Sequence, residues 1–220
     1  NFYLNKYKIN EAIVTDLGGT TFDISLIKDN EIPRSRETWI GEKYRGHMTG
    51  FSSIDIRSIG AGGGSIAWID NGGLLHVGPR SAGANPGPAC YGLGGSNTTL
   101  TDAALINGIL NDDYFLGGRI KLKKELSIKS IKTISSKLKM DENNSASSII
   151  DVVTQNMSQE IKNLTIRQGI NPNKSVIISG GGASGINIID LARNLGCKKV
   201  LMPDLGPVLS ASGGIIADFS

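Results

Sequence analysis

Asp16-Leu17-Gly18-Gly19-Thr20-Thr21-Phe22-Asp23 sets two carboxylates, two glycines and two hydroxyls within eight residues. Ile13, Val14 and Leu17 come before or into the turn, and Phe22, Ile24 and Leu26 alternate with polar residues after it. This is the pattern of strand, two-glycine hairpin, strand. Glycines at the tip can take positive φ and turn consecutive N–H groups toward one point, a concavity suited to phosphate oxygens. Thr20 and Thr21 add hydroxyl donors. Asp16 and Asp23 would repel a bare phosphate, so their place beside such a cradle makes sense with a divalent cation such as Mg²⁺ between them. That combination points to a nucleotide. An ordinary Gly-Gly hairpin with solvated acids uses the same residues, and the octet alone leaves both open.

Composition narrows the classes. The 220 residues are 39% hydrophobic and 20% charged, enough for one large domain or two small ones with a core. Twenty-three basic against twenty acidic residues leave +3, too weak a bias for nucleic acid or an anionic membrane as the main partner. No run is long and apolar enough to span a bilayer. Cys90 and Cys197 are the only cysteines, and neither a disulfide framework nor Cys/His zinc spacing is present, so a cytoplasmic location is expected. The chain opens on Asn1-Phe2-Tyr3-Leu4 rather than on Met, and a fragment of a longer protein is expected.

After the first hairpin, Lys28-Asp29-Asn30 reads as a second turn and Ile32 to Trp39 as a third strand. The segment from Gly41 to Gly118 holds eighteen of the 29 glycines, which argues for strands and tight loops with close backbone approach. Within it, Ile54 to Ile59, Ser65 to Ile69 and Leu74 to Val77 are short strands, and Thr101 is placed as the N-cap of a helix. Between Arg119 and Lys139 that arginine and seven lysines face one acid, Glu125, while Leu122, Leu126, Ile131, Ile134 and Leu138 recur near helical spacing. A solvated lysine face is favoured over a nucleic-acid stripe. Ser145 to Gln168 is a long amphipathic helix, Ser175 to Ser179 a buried strand, Ser184 to Leu195 a helix, Lys199 to Met202 a strand and Ser210 to Asp218 a last helix. The order implies a mixed sheet flanked by helices, an α/β fold with a glycine-rich β/loop insertion at 40–118 and a helical and crossover region at 119–220.

The strand entering Gly180-Gly181-Gly182-Ala183-Ser184-Gly185 and continuing into a helix supplies N–H groups at a helix start, where phosphates bind. Alone this is weak, for it lacks the lysine of a P-loop. An acidic hairpin early and a glycine-rich strand-to-helix turn late are together how actin-like and sugar-kinase-like ATPases clamp a nucleotide from two sides.

Two further strings, Ile59-Gly60-Ala61-Gly62-Gly63-Gly64-Ser65-Ile66-Ala67 and Gly78 through Gly92, have no simple structural template. Here the sequence strongly resembles the hydantoinase and oxoprolinase family, which takes in ATP-dependent hydantoinases, oxoprolinases, lactamases and related subunits of ketone carboxylases. The likeness runs from about Glu11 to Asp218. It includes Asp16 to Asp23, Asp55 to Ile59, Thr101-Asp102-Ala103, Phe115-Leu116-Gly117-Gly118 and Val208-Leu209-Ser210-Ala211. The resemblance implies an actin-like, ribonuclease H-like ATPase fold, this chain being the C-terminal half of the core, with an upstream half carrying a second acidic turn. It implies ATP and Mg²⁺ held by Asp16, Gly18, Gly19, Thr20, Thr21 and Asp23, with Gly180, Gly181 and Gly182 bordering the adenosine and the cation at Asp16 and Asp23. The implied reaction opens a cyclic amide after its oxygen is phosphorylated, with Asp16, Asp55 and Asp102 as the catalytic candidates. The alternative is a non-hydrolytic ATP-binding subunit of a ketone carboxylase or activator assembly. A partner subunit and an oligomeric full-length protein are implied as well; nucleic acid and membrane are not.

One position departs from the family pattern, because Asn187 falls where a histidine is usual, and a carboxamide neither relays protons nor suits a metal as imidazole does. His47 and His76 are far apart in sequence, so a histidine metal site is not expected. Asp102 also fits a helix first turn and Asp55 a strand end. Arg57 and Arg80 fit anion binding or structural ion pairs equally. Cys90 reads as a packed thiol.

Overall fold

The computed structural model describes residues 2–41 and 44–216. In chain order its main elements are α1 (Phe2–Tyr7), β1 (Glu11–Leu17), β2 (Phe22–Lys28), β3 (Arg57–Ile59), β4 (Ser65–Ile69) and β5 (Leu75–Ser81). These are followed by α2 (Leu100–Ile106), α3 (Lys124–Leu138), α4 (Glu142–Gln168), β6 (Val176–Gly180), α5 (Ile188–Leu195), β7 (Lys199–Leu201) and α6 (Leu209–Ile216). One five-stranded sheet, ordered β7-β6-β1-β2-β3, organises them. Its β2 runs antiparallel to both neighbours, β1 and β3, while β6 lies parallel to β1 and β7 parallel to β6. The expected mixed sheet flanked by helices is therefore present, and β4 and β5 form a separate hairpin.

Period-two alternation in β1 explains why both faces are covered. Ile13 and Leu17, with Phe22, Ile24 and Leu26 of β2, join Ile149, Val153, Met157 and Ile161 of α4 in the main core. Ala12 and Ile27 turn to the other face and pack with Leu4 and Ile178, against which Leu201 and Leu209 close. The long helix starts at Asp141, whose carboxylate accepts from the Asn144 N–H, a turn earlier than the hydrophobic spacing implies. It stops at Gly169 in the left-handed conformation, as expected.

Three local expectations change. The segment from Ile32 to Trp39 is no continuous strand; only Arg34–Ser35 and Trp39–Ile40 pair, with Ser53–Ile54 and His47–Met48. The segment Ile54 to Ile59 breaks at Asp55, leaving Ser53–Ile54 and β3 in different sheets. The cap of α2 is Thr99 and not Thr101, because Thr99 and Asp102 form a reciprocal capping box while the Thr101 hydroxyl donates to the Gly63 carbonyl at 2.8 Å. The last two residues of the expected final helix, Ala217 and Asp218, lie outside the described residues. Among the described residues no helix is long and apolar enough to cross a membrane.

Within the glycine-rich middle, Gly62 to Gly64 pack on the β1–β2 turn, whereas Gly60 closes on Pro79 and Gly95 on the Gly87 carbonyl. A Cβ at Gly62 would lie 2.5 Å from the Thr20 nitrogen, and one at Gly181, where φ is +90°, would lie 2.2 Å from the Leu17 oxygen. Backbone on both sides fixes these contacts, so a methyl has no room to relax. Gly62→Ala is expected to lower stability by about 2–3 kcal/mol. Gly185→Ala, with nothing within 4 Å of the added carbon, should change it by less than about 1 kcal/mol. Urea unfolding of both variants measures the difference.

Candidate functional site

One rung of the sheet carries the acids. Asp16 of β1 pairs with Asp23 of β2 on one side and with Gly180 of β6 on the other, and Asp23 pairs with Ser58 of β3. Gly180, Asp16, Asp23 and Ser58 thus stand in a row, and facing residues of neighbouring strands share a face. Both carboxylates are half-buried. The Ser210 hydroxyl donates to Asp16 Oδ2 and the Ser58 hydroxyl to Asp23 Oδ1, while Thr21 Oγ1 approaches Asp23 Oδ2 at 3.4 Å.

The turn between the acids is gripped by its carbonyls. Gly63 and Gly64 donate N–H groups to the carbonyls of Gly18 and Gly19 at 3.0 and 2.7 Å, and Ala183 donates to that of Leu17 at 3.0 Å. Gly18 closes the turn by donating to the Thr21 carbonyl at 3.0 Å. Neither Gly18 nor Gly19 has positive φ, contrary to expectation; the left-handed glycine is Gly181, in the loop beneath. The N–H groups of Gly19, Thr20 and Gly182 donate to no group among the described residues. Gly19 and Gly182 both border a cleft of about 590 Å³. Its other walls include Tyr91, Leu110, Phe115, Leu116 and Ile186, and no Asp, Glu, Lys, Arg or His lines it. The cleft can accept an uncharged planar ring while the open N–H groups meet an anion at its edge.

The remaining candidates lie elsewhere. Asp55 is near the opposite end of the sheet, where one oxygen accepts from Gln168 Nε2 at 2.8 Å and the other lies 3.3 Å from Arg57 Nε without hydrogen-bond alignment. Asp102 is wholly buried and accepts from the N–H groups of Ala89, Cys90 and Thr99 and the hydroxyls of Thr99 and Ser127, at 2.6 to 3.2 Å. Its carboxylate ties the 89–91 turn to α2 and α3, and the structure does not bring it to the acids' rung. Asn187 turns into the core and donates to Thr154 Oγ1 at 3.0 Å and Met157 Sδ at 3.3 Å. His76 pairs with Asp70 at 2.7 Å, stacks on Trp68, and by that hydrogen bond holds the Asp70 carboxyl below its usual range. His47 is exposed. Burial, reinforced by Asp102, pushes the Cys90 thiol far up, consistent with an inert packed residue.

Three contributors escaped the sequence reading. Ser58 and Ser210 are single hydroxyls whose importance depends on the rung, and Gly62 to Gly64 wall the turn through tertiary contact. Only the density of glycines hinted at the last. Among the described residues no cluster of three or more His, Cys, Asp or Glu could hold a metal. Asp16 and Asp23 face each other across the β1–β2 ladder, and two carboxylates are a donor set that a hydrated divalent cation can accept.

A mixed α/β lobe with an acidic turn clamped by glycine strings fits the class that the sequence resembled. The chain belongs to the hydantoinase/oxoprolinase family, whose model matches residues 2–220. It is 40% identical over 213 residues to the alpha subunit of a caprolactamase from Pseudomonas jessenii, covering 96% of this chain and 30% of that protein. It is 35% identical to the gamma subunit of an acetophenone carboxylase from Aromatoleum aromaticum, covering 99% and 29%. A 5-oxoprolinase from Dictyostelium discoideum is 32% identical over 97% of this chain and 18% of its own length. Among solved structures, the ATP-dependent caprolactamase of Pseudomonas jessenii superposes with a TM-score of 0.87 at 40% identity, over 98% of this chain and 31% of that one. A nucleotide-free acetone carboxylase gives 0.86 at 27%, over 99% and 30%. The chain thus spans about a third or less of the relatives it matches.

Two measurements test this geometry. Asp102→Asn places an NH₂ group among five donors and is expected to cost about 3 kcal/mol in chemical unfolding. Burial, with the nearby Cys90 and Asp102, pushes the Tyr91 phenol up to about 12. Because the folded state raises this pKa, the contribution is fully present below the unfolded value of about 10 and is lost as pH rises through 12. Absorbance titration of the wild type minus Tyr91→Phe should show one phenol ionising near pH 12.

Proposed function

We propose that this chain is one ATP-binding lobe of an actin-like, ribonuclease H-like core, in an enzyme that opens a cyclic amide of hydantoin, oxoproline or lactam type. The observation that carries the reading is the Asp16–Asp23 rung together with N–H groups of Gly19, Thr20 and Gly182 that donate to no described group, two of them, Gly19 and Gly182, bordering the uncharged cleft. Three antiparallel strands extended by parallel β6 and β7 support the fold assignment. The ATP-dependent caprolactamase and the 5-oxoprolinase support the reaction class.

In this reading the turn from Gly18 to Thr21 and the Gly180–Gly182 loop receive phosphate oxygens, the cleft receives the base, and Asp16 and Asp23 hold Mg²⁺ through its water shell. ATP would supply a phosphoryl group to the amide oxygen, making the ring carbon electrophilic enough for water to add; the ring C–N bond then breaks with a proton passing to the nitrogen, and a second water releases phosphate from the acyl phosphate so formed. The residues of this lobe bind and orient; their donors face the phosphates and the glycine walls exclude water from the turn. A second lobe closes the cleft, and a partner subunit completes the assembly, in line with relatives named as subunits. A cytoplasmic setting suits two unpaired cysteines. Asp55 and Asp102 take structural rather than catalytic roles.

The second reading, an ATP-binding subunit of a ketone carboxylase, is favoured by the likeness to the acetophenone and acetone enzymes. Substrate dependence separates the two. ATP turnover stimulated by a lactam or oxoproline supports the amidase, and turnover requiring a ketone with bicarbonate supports the carboxylase. In the intact protein Asp16→Asn should abolish Mg²⁺-dependent ATP turnover while leaving the melting temperature unchanged or raised, because two facing carboxylates repel until a cation screens them. A loss of stability with activity retained would overturn the phosphate-site reading. The 220-residue chain alone should bind ATP more weakly than micromolar by calorimetry, since one lobe makes only part of the contacts.

A further inference from the structure

We infer that Ser210 and Ser58 are positioning residues that clamp the outer oxygen of each carboxylate, leaving the two other oxygens for a shared cation; this rests on the nucleotide reading above. The rung places them symmetrically. Ser58 neighbours Asp23 on the side away from Asp16, across the β2–β3 ladder, and donates to Oδ1. On the far side of Asp16 the sheet offers only Gly180, which has no side chain to bond it. Ser210, from the first turn of α6, takes that place and donates to Oδ2.

Gly180 is what lets α6 come so close. A Cβ there would lie 2.9 Å from Leu209 Cδ2 and 3.1 Å from its Cβ, so a side chain at this position would press on the residue that opens α6, next to Ser210. The Gly181 N–H donates to the Gly206 carbonyl at 2.9 Å and fixes the approach from the other end. With the outer oxygens held, Asp16 Oδ1 accepts from no group among the described residues, and Asp23 Oδ2 has only the 3.4 Å contact from Thr21. Each carboxylate is thereby kept from rotating away from its neighbour, as expected of partners that orient metal-binding groups.

The test measures Mn²⁺ binding in the presence of ATP by electron paramagnetic resonance, in the intact protein, with no turnover required. Ser210→Ala should weaken Mn²⁺ binding about tenfold, Ser58→Ala similarly, and Ser210→Thr, which keeps the hydroxyl, should match the wild type. A merely structural serine would move the melting temperature without moving Mn²⁺ affinity. Wild-type affinity in Ser210→Ala overturns the inference and leaves the nucleotide reading intact. Should Ser210→Ala fail to fold, Ser58→Ala on the edge strand decides, and unchanged affinity there overturns it equally. If Asp16→Asn binds Mn²⁺ as the wild type does, or the wild type binds none, the nucleotide reading itself fails and the inference with it.

Discussion

Backbone meets backbone at the β1–β2 turn, and the glycines at 62–64 and 181 follow from that contact. The loop at Gly62 to Gly64 and the loop at Gly181 approach the turn from two sides at distances that no side chain could share. Such packing spends the carbonyls of Leu17, Gly18 and Gly19 on neighbouring N–H groups, while the N–H groups of Gly19 and Thr20 donate to no group among the described residues. Three hydrogen bonds to the tip from outside the hairpin hold its backbone in one arrangement, and donors arranged in advance need no ordering before they meet an acceptor.

The constraint spreads outward through α2. Thr101 donates both its N–H and its hydroxyl to the Gly63 carbonyl, so the helix start holds the glycine string against the turn. Asp102, the next residue, gathers the 89–91 turn and Ser127 of α3 about its buried carboxylate. A fully desolvated carboxylate is tolerated because five donors surround it. The acid that the family motif singles out thus acts one layer behind the site, by holding the wall that holds the turn.

The sequence made the regular elements legible wherever periodicity was strong. The alternation around Asp16, the three-and-four spacing of Ile149, Val153, Met157 and Ile161, and the short buried run at Val176 to Ile178 each appear as the element expected. The arm between Ile32 and Ile59 was not legible, because ladders of two residues carry too little pattern to distinguish them from loop. The sequence singled out Asp16 and Asp23 as flanking a glycine turn, and the structure sets them on one rung; the pairing of that turn with the Gly180 loop came by analogy with actin-like ATPases, and the Ala183 N–H does reach the Leu17 carbonyl. The serine partners of the two acids were not legible, since a hydroxyl acquires meaning only from the register that sets Ser58 beside Asp23 and from the absence of a side chain at Gly180. The role of positive φ was placed at Gly18 and Gly19, whereas the turn closes without it; the close approach that demands glycine is tertiary and so invisible to local rules.

Asn187 shows where one lobe stops informing the choice between reactions. Its side chain is buried against α4, bonded to Thr154 and near Met157, and lies among core residues rather than along the uncharged cleft. A carboxamide there completes packing between α4 and α5, so the position that the resemblance gave to a histidine is filled by an interior contact. The structure sets donors at a turn packed on backbone from two sides and two carboxylates on one rung. The same fold is shared by an ATP-dependent caprolactamase and an acetone carboxylase at TM-scores of 0.87 and 0.86, as expected where a fold hosts different chemistries through what is built around it.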